Sequence, residues 1–202
     1  MSEAKPHIVP LHALATESEL GRGDDEQLMA LTAGGHKAAF AVLVHRYLAR
    51  VTKFCARFAG QLPVAEELTQ EIFLEVWLRR DRYRAQGKFV VFLFTVARHR
   101  CLNRVRNDGR RRQREVIGVV EDASGLPGQL DALLEKERQR QVQIALLGLS
   151  VKLREAVLLR FDQGLDYADV ARILGCSEST TRSRVRLAML ALRAAIAEGD
   201  TP

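Results

Sequence analysis

The stretch that most limits what this chain folds into is Asp166–Leu187, DYADVARILGCSESTTRSRVRL. It reads as two short helices joined by a tight turn, the second of them basic. Asp166 is placed to cap the first helix, and Asp169 puts a carboxylate near its positive end. Val170, Ala171 and Leu174 form the buried face. Gly175 stands where the helix must stop, because a left-handed backbone there is cheap only for glycine. Ser177 caps the next helix, and Glu178 suits its N-terminal dipole. Thr181, Val185, Ala188, Leu192 and Ile196 recur at helical spacing and pack it. Ser179, Thr180, Arg182, Ser183, Arg184 and Arg186 are left facing outward. Hydroxyls and guanidiniums are the groups that contact phosphates and base edges in a major groove. The pattern is a helix-turn-helix, and it makes nucleic acid the leading candidate partner. The plainer reading is a helical hairpin with a solvated basic face, and the rest of the chain decides between them.

At 202 residues the chain holds one large domain or two small ones, each with a modest core. Proline is scarce and few stretches alternate with the two-residue period of strands, which predicts an all-helical chain. A net charge of +6 suits a polyanion partner, and its distribution says more. Thirteen Arg or Lys stand between Arg79 and Arg114 against two Asp, well away from the helix-turn-helix. Two separate basic surfaces are implied. Cys55, Cys101 and Cys176 lack CxxC spacing and read as reduced thiols, with Cys55 and Cys176 as small core residues. His99 and Cys101, two apart, do not share a helix face, so no metal site is expected. No apolar run approaches membrane-spanning length, and residues 1–23 lack a signal-peptide core. These features predict a soluble, cytoplasmic protein with no membrane insertion.

The expected fold is all-α: two small helical domains joined by a flexible linker, the C-terminal one containing the helix-turn-helix. Residues 1–23 are aperiodic and read as a flexible tail. Residues 24–114 form the first domain, beginning with a short helix from Asp24. A second helix spans about Lys37–Phe58, with Phe40, Leu43, Val44, Tyr47, Val51 and Phe54 on one side. Gly60–Pro63 breaks it. A third runs from Val64 to about Arg80, with Leu68, Ile72 and Val76 as its stripe and Phe73 and Trp77 beside them. After a loop over Asp81–Lys88, a fourth runs from about Phe89 to Arg106. Glycines, Pro127 and acidic residues make 115–136 a linker. Residues 137–197 form the second domain, broken near Ser150 and Gly164, and 198–202 a tail.

Two constellations in the first domain carry function. Glu66, Glu67, Gln70, Glu71 and Glu75 place an acidic strip beside the apolar stripe of the third helix. Paired carboxylates serve acid–base or metal chemistry only when completed by a histidine or a second cluster. Neither is placed to do so, and no catalytic residue and no cofactor are expected. An acidic face is usually only solvated; the sharper reading docks it on a basic protein, with Phe73 or Trp77 as anchor. On the fourth helix, Phe89, Phe92, Leu93 and Val96 share a face that continues into His99, Arg100 and Asn103. Basic residues interleaved with rings suit single-stranded nucleic acid, guanidiniums on phosphates and rings beside unpaired bases. Phe89 and Phe92 read as core, which leaves Tyr83 as the natural stacking ring.

In this order the segments resemble the extracytoplasmic-function (ECF) sigma factors, the smallest class of the sigma-70 family. AFAVLVHRYLARV (39–51) resembles the family's first conserved helix, and VAEELTQEIFLEVW (64–77) the helix that docks on the polymerase clamp. FVVFLFTVARHRCLNRVR (89–106) resembles the helix that opens and reads the −10 element, and the helix-turn-helix resembles the −35 reader. The resemblance implies a non-enzymatic subunit that binds core RNA polymerase and directs promoter-specific initiation and melting. It implies core contacts from Glu66, Glu67, Gln70, Glu71, Phe73 and Trp77. The loop bearing Tyr83, Arg84 and Lys88 then captures a base flipped from the melted strand. Arg98, His99, Arg100, Asn103, Arg104 and Arg106 hold the single-stranded −10 element, and Ser179, Thr180, Arg182, Ser183, Arg184 and Arg186 lie in the −35 duplex. A partner anti-sigma factor is implied as well.

The chain departs from the family pattern in places. Phe92, His99 and Asn103 stand where Trp, Asn and Asp are usual; Thr181 replaces an apolar residue and Leu187–Met189 a basic stretch. The alternatives are a stand-alone helix-turn-helix regulator, which leaves the clamp-like helix unexplained, and a degenerate sigma-like regulator that does not initiate transcription. A flexible linker predicts that the two domains stay unaligned, and bind promoter duplex poorly, until polymerase fixes their spacing.

Overall fold

The first helix is nucleated at Asp24, whose carboxylate accepts the Gln27 amide at 2.7 Å while the Gln27 side chain reaches back. It opens a chain that, in the computed structural model, is described over residues 22–83, 88–112 and 130–199. All regular structure among the described residues is helical: α1 Asp25–Ala33, α2 Lys37–Ala59, α3 Leu62–Leu78, α4 Phe89–Arg112, α5 Leu130–Gly148, α6 Val151–Val157, α7 Tyr167–Leu174 and α8 Glu178–Gly199. The all-α expectation holds. The 1–21 part of the expected tail, Arg84, the last two residues of the expected first domain and residues 115–129 of the expected linker lie outside the described residues.

Three boundaries differ from expectation. α3 starts at Leu62 rather than Val64, because Pro63 occupies the first turn, where its missing N–H costs nothing. α4 continues to Arg112, one and a half turns beyond Arg106. α5 begins at Leu130, where the helical pattern of the sequence resumes after the breakers that end at Gly128, so its first two turns occupy the end of the 115–136 segment expected as linker.

The first domain packs α2 against α3 and both against α4. Leu43, Tyr47, Val51, Phe54 and Phe58 face Leu68, Ile72 and Val76, and α4 closes the core with Phe89, Leu93, Phe94 and Ala97. Edge-on ring contacts fix the crossings: Phe54 on Phe94 at 5.5 Å and Tyr47 on Phe89 at 5.4 Å. The core thiols are Cys55 and Cys101, whose sulfurs lie 3.7 Å apart; Cys176, expected inside, is half-exposed. The hydrogen bond to Cys55 and burial push the Cys101 thiol well up, which makes it unreactive.

In the second domain α6 widens into a π turn over Leu158–Asp162, and α7 and α8 form the helix-turn-helix. Gly175 has φ 65°, the left-handed stop that the sequence implies. Asp166 caps α7 by accepting the Asp169 amide at 2.7 Å. That hydrogen bond, aided by Lys88, holds the Asp166 carboxyl below the usual range. A depressed carboxyl contributes stability that is present above its unfolded value and is lost as pH falls through the folded one. Denaturant midpoints should therefore drop below about pH 4. Asp166→Asn, which still caps, should flatten that part of the profile; an unchanged profile would remove Asp166 as the cause.

The domains do not stay apart. One continuous apolar cluster spans both, and α4 packs on α7 while α2 meets α5 and the π turn. At Gly60, φ 85°, α2 ends so close to α5 that a Cβ there meets Leu147 Cδ1 at 2.8 Å. The expected lack of alignment is thus corrected: helix packing sets the relative position of the two domains.

Candidate binding faces

The recognition face of α8 begins at Ser177, whose hydroxyl accepts the Thr180 amide at 3.2 Å. Thr181 is buried, its hydroxyl donating to the Ser177 carbonyl at 3.1 Å and so satisfied in the position of an apolar residue. Ser179, Thr180, Arg182, Ser183 and Arg186 are exposed, as expected. The Arg182 guanidinium lies 4.3 Å from the Tyr167 ring centre, and Arg160 lies 5.1 Å from the same ring. Arg184 departs from expectation. It is half-buried and turns toward Glu155, 3.9 Å away.

On α3, Glu66, Glu67 and Gln70 are exposed, Glu71 is half-exposed and Glu75 is buried. The acidic strip has partners within the chain. Arg100 bonds Glu75 and lies 3.3 Å from Glu71, and Arg104 lies 3.0 Å from Glu67. Arg79 adds a second contact to Glu75 at 2.6 Å. Phe73, expected as an anchor, is only 6% exposed and packs edge-on against Phe40, so it supports the face from beneath. Trp77 remains half-exposed, between Phe40 and the Arg80 guanidinium. Sequence reasoning missed Leu74 and Leu78, 58% and 64% exposed on the same helix. The signal was present as two leucines off the 68–72–76 stripe.

On α4, His99, Asn103 and Arg106 are exposed. Arg98 points the other way and forms a two-pronged pair with Glu155, at 2.8 and 3.3 Å. Lys88 reaches the C-terminal domain too, 2.7 Å from Asp169 and 3.3 Å from Asp166, and these carboxylates raise its pKa. Tyr83 leans edge-on on Phe92 and Phe89, so the expected stacking ring is packed on the protein. Among the described residues no three His, Cys, Asp or Glu side chains form a metal-binding group, and no helix is long and apolar enough to cross a membrane. The arrangement offers cations, hydroxyls and an apolar–acidic helix face, which are groups for binding.

Two family profiles match the chain: Sigma-70 region 2 over residues 43–111 and Sigma-70 region 4 over residues 139–192. The first covers α2 to α4, the second α5 to α8. The chain is similar to the ECF RNA polymerase sigma factor SigK of Mycobacterium ulcerans (strain Agy99), 35% identical over 86% of this chain and 94% of that protein. It is also similar to the RNA polymerase sigma-H factor of Pseudomonas aeruginosa, 28% identical over 82% of this chain and 90% of that protein. Among solved structures, RpoE of Bartonella quintana in complex with the anti-sigma factor NepR aligns with TM-score 0.65 and 27% identity, over 80% of this chain and 98% of that one. CnrH, solved with the cytosolic domain of CnrY, shares the fold at TM-score 0.67 and 22% identity, over 88% and 99% of the two chains.

Proposed function

Because the chain belongs to the ECF sigma factors of the sigma-70 family, we propose a division of labour between its two domains on polymerase and promoter. As a sigma factor it binds core RNA polymerase and directs promoter-specific initiation; its part is binding, not catalysis, and its workplace is the cytoplasm, with core polymerase. The observation that carries the reading is the pairing, in one chain, of a region 2 helix bundle with a region 4 helix-turn-helix whose recognition face is exposed.

α3 docks on core polymerase through Glu66, Glu67, Gln70, Glu71 and Trp77, joined by the exposed Leu74 and Leu78. α4 and the segment before it hold the melted −10 strand: Lys88, Arg98, Arg100, Arg104 and Arg106 meet phosphates, and His99 and Asn103 face bases. Tyr83 contributes from beside Phe92. α8 enters the −35 major groove with Ser179, Thr180, Arg182, Ser183, Arg184 and Arg186. An anti-sigma factor is a natural antagonist, since the related RpoE was solved bound to one.

Purified protein mixed with sigma-free core polymerase should co-elute on a sizing column, and the complex should support single-round transcription from a cognate promoter. Failure to co-elute, with the protein folded, would return the chain to the class of stand-alone DNA-binding regulators. On the holoenzyme, Arg182→Ala or Arg184→Ala should weaken −35 binding by about 1–3 kcal/mol if the side chain forks to a base. Unchanged −35 affinity after both replacements would mean that α8 is not the reader.

A further inference from the structure

On the reading above, Arg182 reaches a base edge from α8, so whatever fixes its guanidinium bears on which base it takes. A guanidinium carries its donors in one plane. A partner at its face leaves that donor edge free, while a carboxylate at the edge uses it up. Arg182 has a partner of each kind. Its Cζ lies over the Tyr167 ring, 4.3 Å from the centre. Its Nη2 lies 3.3 Å from Glu178 Oε2, in a pair whose side chains are 59% and 50% exposed. So exposed an ion pair is weak and yields to another acceptor. The ring does not compete with a base, because it attracts the cation through the face.

Tyr167 is itself fixed. It is the first residue of α7, directly after the Asp166 cap. Arg160, from the π turn, places its Cζ 5.1 Å from the Tyr167 ring centre and 5.6 Å from that of Phe161. Its Nη1 donates to the Leu165 carbonyl at 3.3 Å, just before α7. Its Nε is buried and has no hydrogen-bond acceptor among the described residues. A buried donor left unpaired costs free energy, and the two rings are what the guanidinium gains at that place. π turns recur at functional sites, and this one brings Arg160 to Tyr167. The series Arg160, Tyr167, Arg182 thus ties the π turn, α7 and α8 together at the recognition face.

We propose that Tyr167 is a specificity-determining residue of the −35 reader: its ring holds the Arg182 guanidinium by the face and keeps the donor fork aimed at one base pair. It acts through Arg182, as a positioning residue. A side chain ordered before binding gives up less rotamer freedom on the DNA, and the gain falls on the base that suits the fork. The proposal rests on the assignment of α8 to −35.

In the test, holoenzyme is first given a duplex pool randomised over the −35 and −10 elements, and the most enriched sequence becomes the probe. Kd is then measured, at one salt concentration, for that duplex and its single-base replacements through −35. Arg182→Ala marks the base pair that Arg182 reads, as the place where discrimination disappears. Tyr167→Leu should cut discrimination about fivefold at that base pair and leave the others within about twofold. Tyr167→Phe, which keeps the ring, should match wild type. On an Arg182→Ala background, Tyr167→Leu should change nothing further.

Full discrimination by Tyr167→Leu would overturn the proposal. So would equal loosening at every −35 base pair, which is the mark of damaged packing. A Phe variant as poor as the Leu one would also overturn it, by putting the role on the hydroxyl. If Tyr167→Leu loses helical signal, Tyr167→Met takes its place with the same readouts. The assignment beneath fails separately. If wild-type holoenzyme enriches no −35 sequence, or Arg182→Ala loses no discrimination, α8 is not the reader and the proposal falls with it. If both behave as expected and Tyr167→Leu matches wild type, the proposal falls alone.

Discussion

Replacing Arg154 by leucine should lower the stability of the whole chain by about 3 kcal/mol, on the order of 6–12 °C in Tm. The guanidinium is buried, and no carboxylate bonds it among the described contacts. It donates instead to four carbonyls: Leu146 at 2.9 Å, Leu147 at 2.6 Å, Leu149 at 3.2 Å and Phe58 at 2.8 Å. Three of them lie where α5 ends, and the fourth near the end of α2. These are the places where a helix leaves carbonyls unpaired and its dipole is negative. Burial pulls the Arg154 pKa down from its ordinary value without displacing the charge at neutral pH. Leucine fills the space but leaves buried acceptors without donors. Lysine supplies the charge with fewer, differently aimed donors, so Arg154→Lys should recover only part of the loss. Urea midpoints of the three chains decide the matter; a leucine variant within about 0.5 kcal/mol of wild type would show that water replaces the guanidinium.

Leu74→Asp and Leu78→Asp should each weaken core polymerase binding by about 2 kcal/mol, some thirtyfold, while leaving Tm unchanged. Both side chains are more than half exposed on α3, next to Trp77, so the folded chain loses almost no packing when they change. An exposed apolar pair beside an aromatic is the composition of a docking anchor. The neighbouring glutamates are partly engaged by Arg100 and Arg104. Truncating one of them alters the internal pairing as well as the contact outside, which makes the leucines the cleaner probe. Titration of labelled protein with sigma-free core polymerase reads the effect. Equal affinity for all three chains would move the polymerase-binding face off α3.

Most of the local structure was legible. The caps at Asp166 and Ser177 and the stop at Gly175 depend on residues within one turn of each other, and all stand as the sequence implies. The stripe Leu68–Ile72–Val76 is buried for the same reason, since helical period alone places it on one face. The errors are of another kind. Phe73 read as an anchor because it neighbours the stripe, and only the position of Phe40 on α2 shows that it is covered. Cys101 and Cys55 read as isolated because 46 residues separate them, yet α2 and α4 cross where both project inward. Arg154 and Glu155 were visible only as two of the four charges in the run from Val151 to Phe161. Nothing in that run names their partners.

The sequence by itself determined that the chain is helical, how the helix-turn-helix is capped and stopped, which stripe Leu68–Ile72–Val76 buries and which face of α8 carries hydroxyls and guanidiniums. These are consequences of spacing within a few residues, and hydrogen bonds and apolar periodicity enforce them locally. Only the tertiary structure decided which charges meet. Arg98 finds Glu155 57 residues away and Arg57 finds Asp162 105 residues away, because packing α4 on α7 and α2 on the π turn brings those side chains within reach. A guanidinium is equally suited to a phosphate and to a carboxylate. Which one it holds in this structure is set by the packing of the two domains.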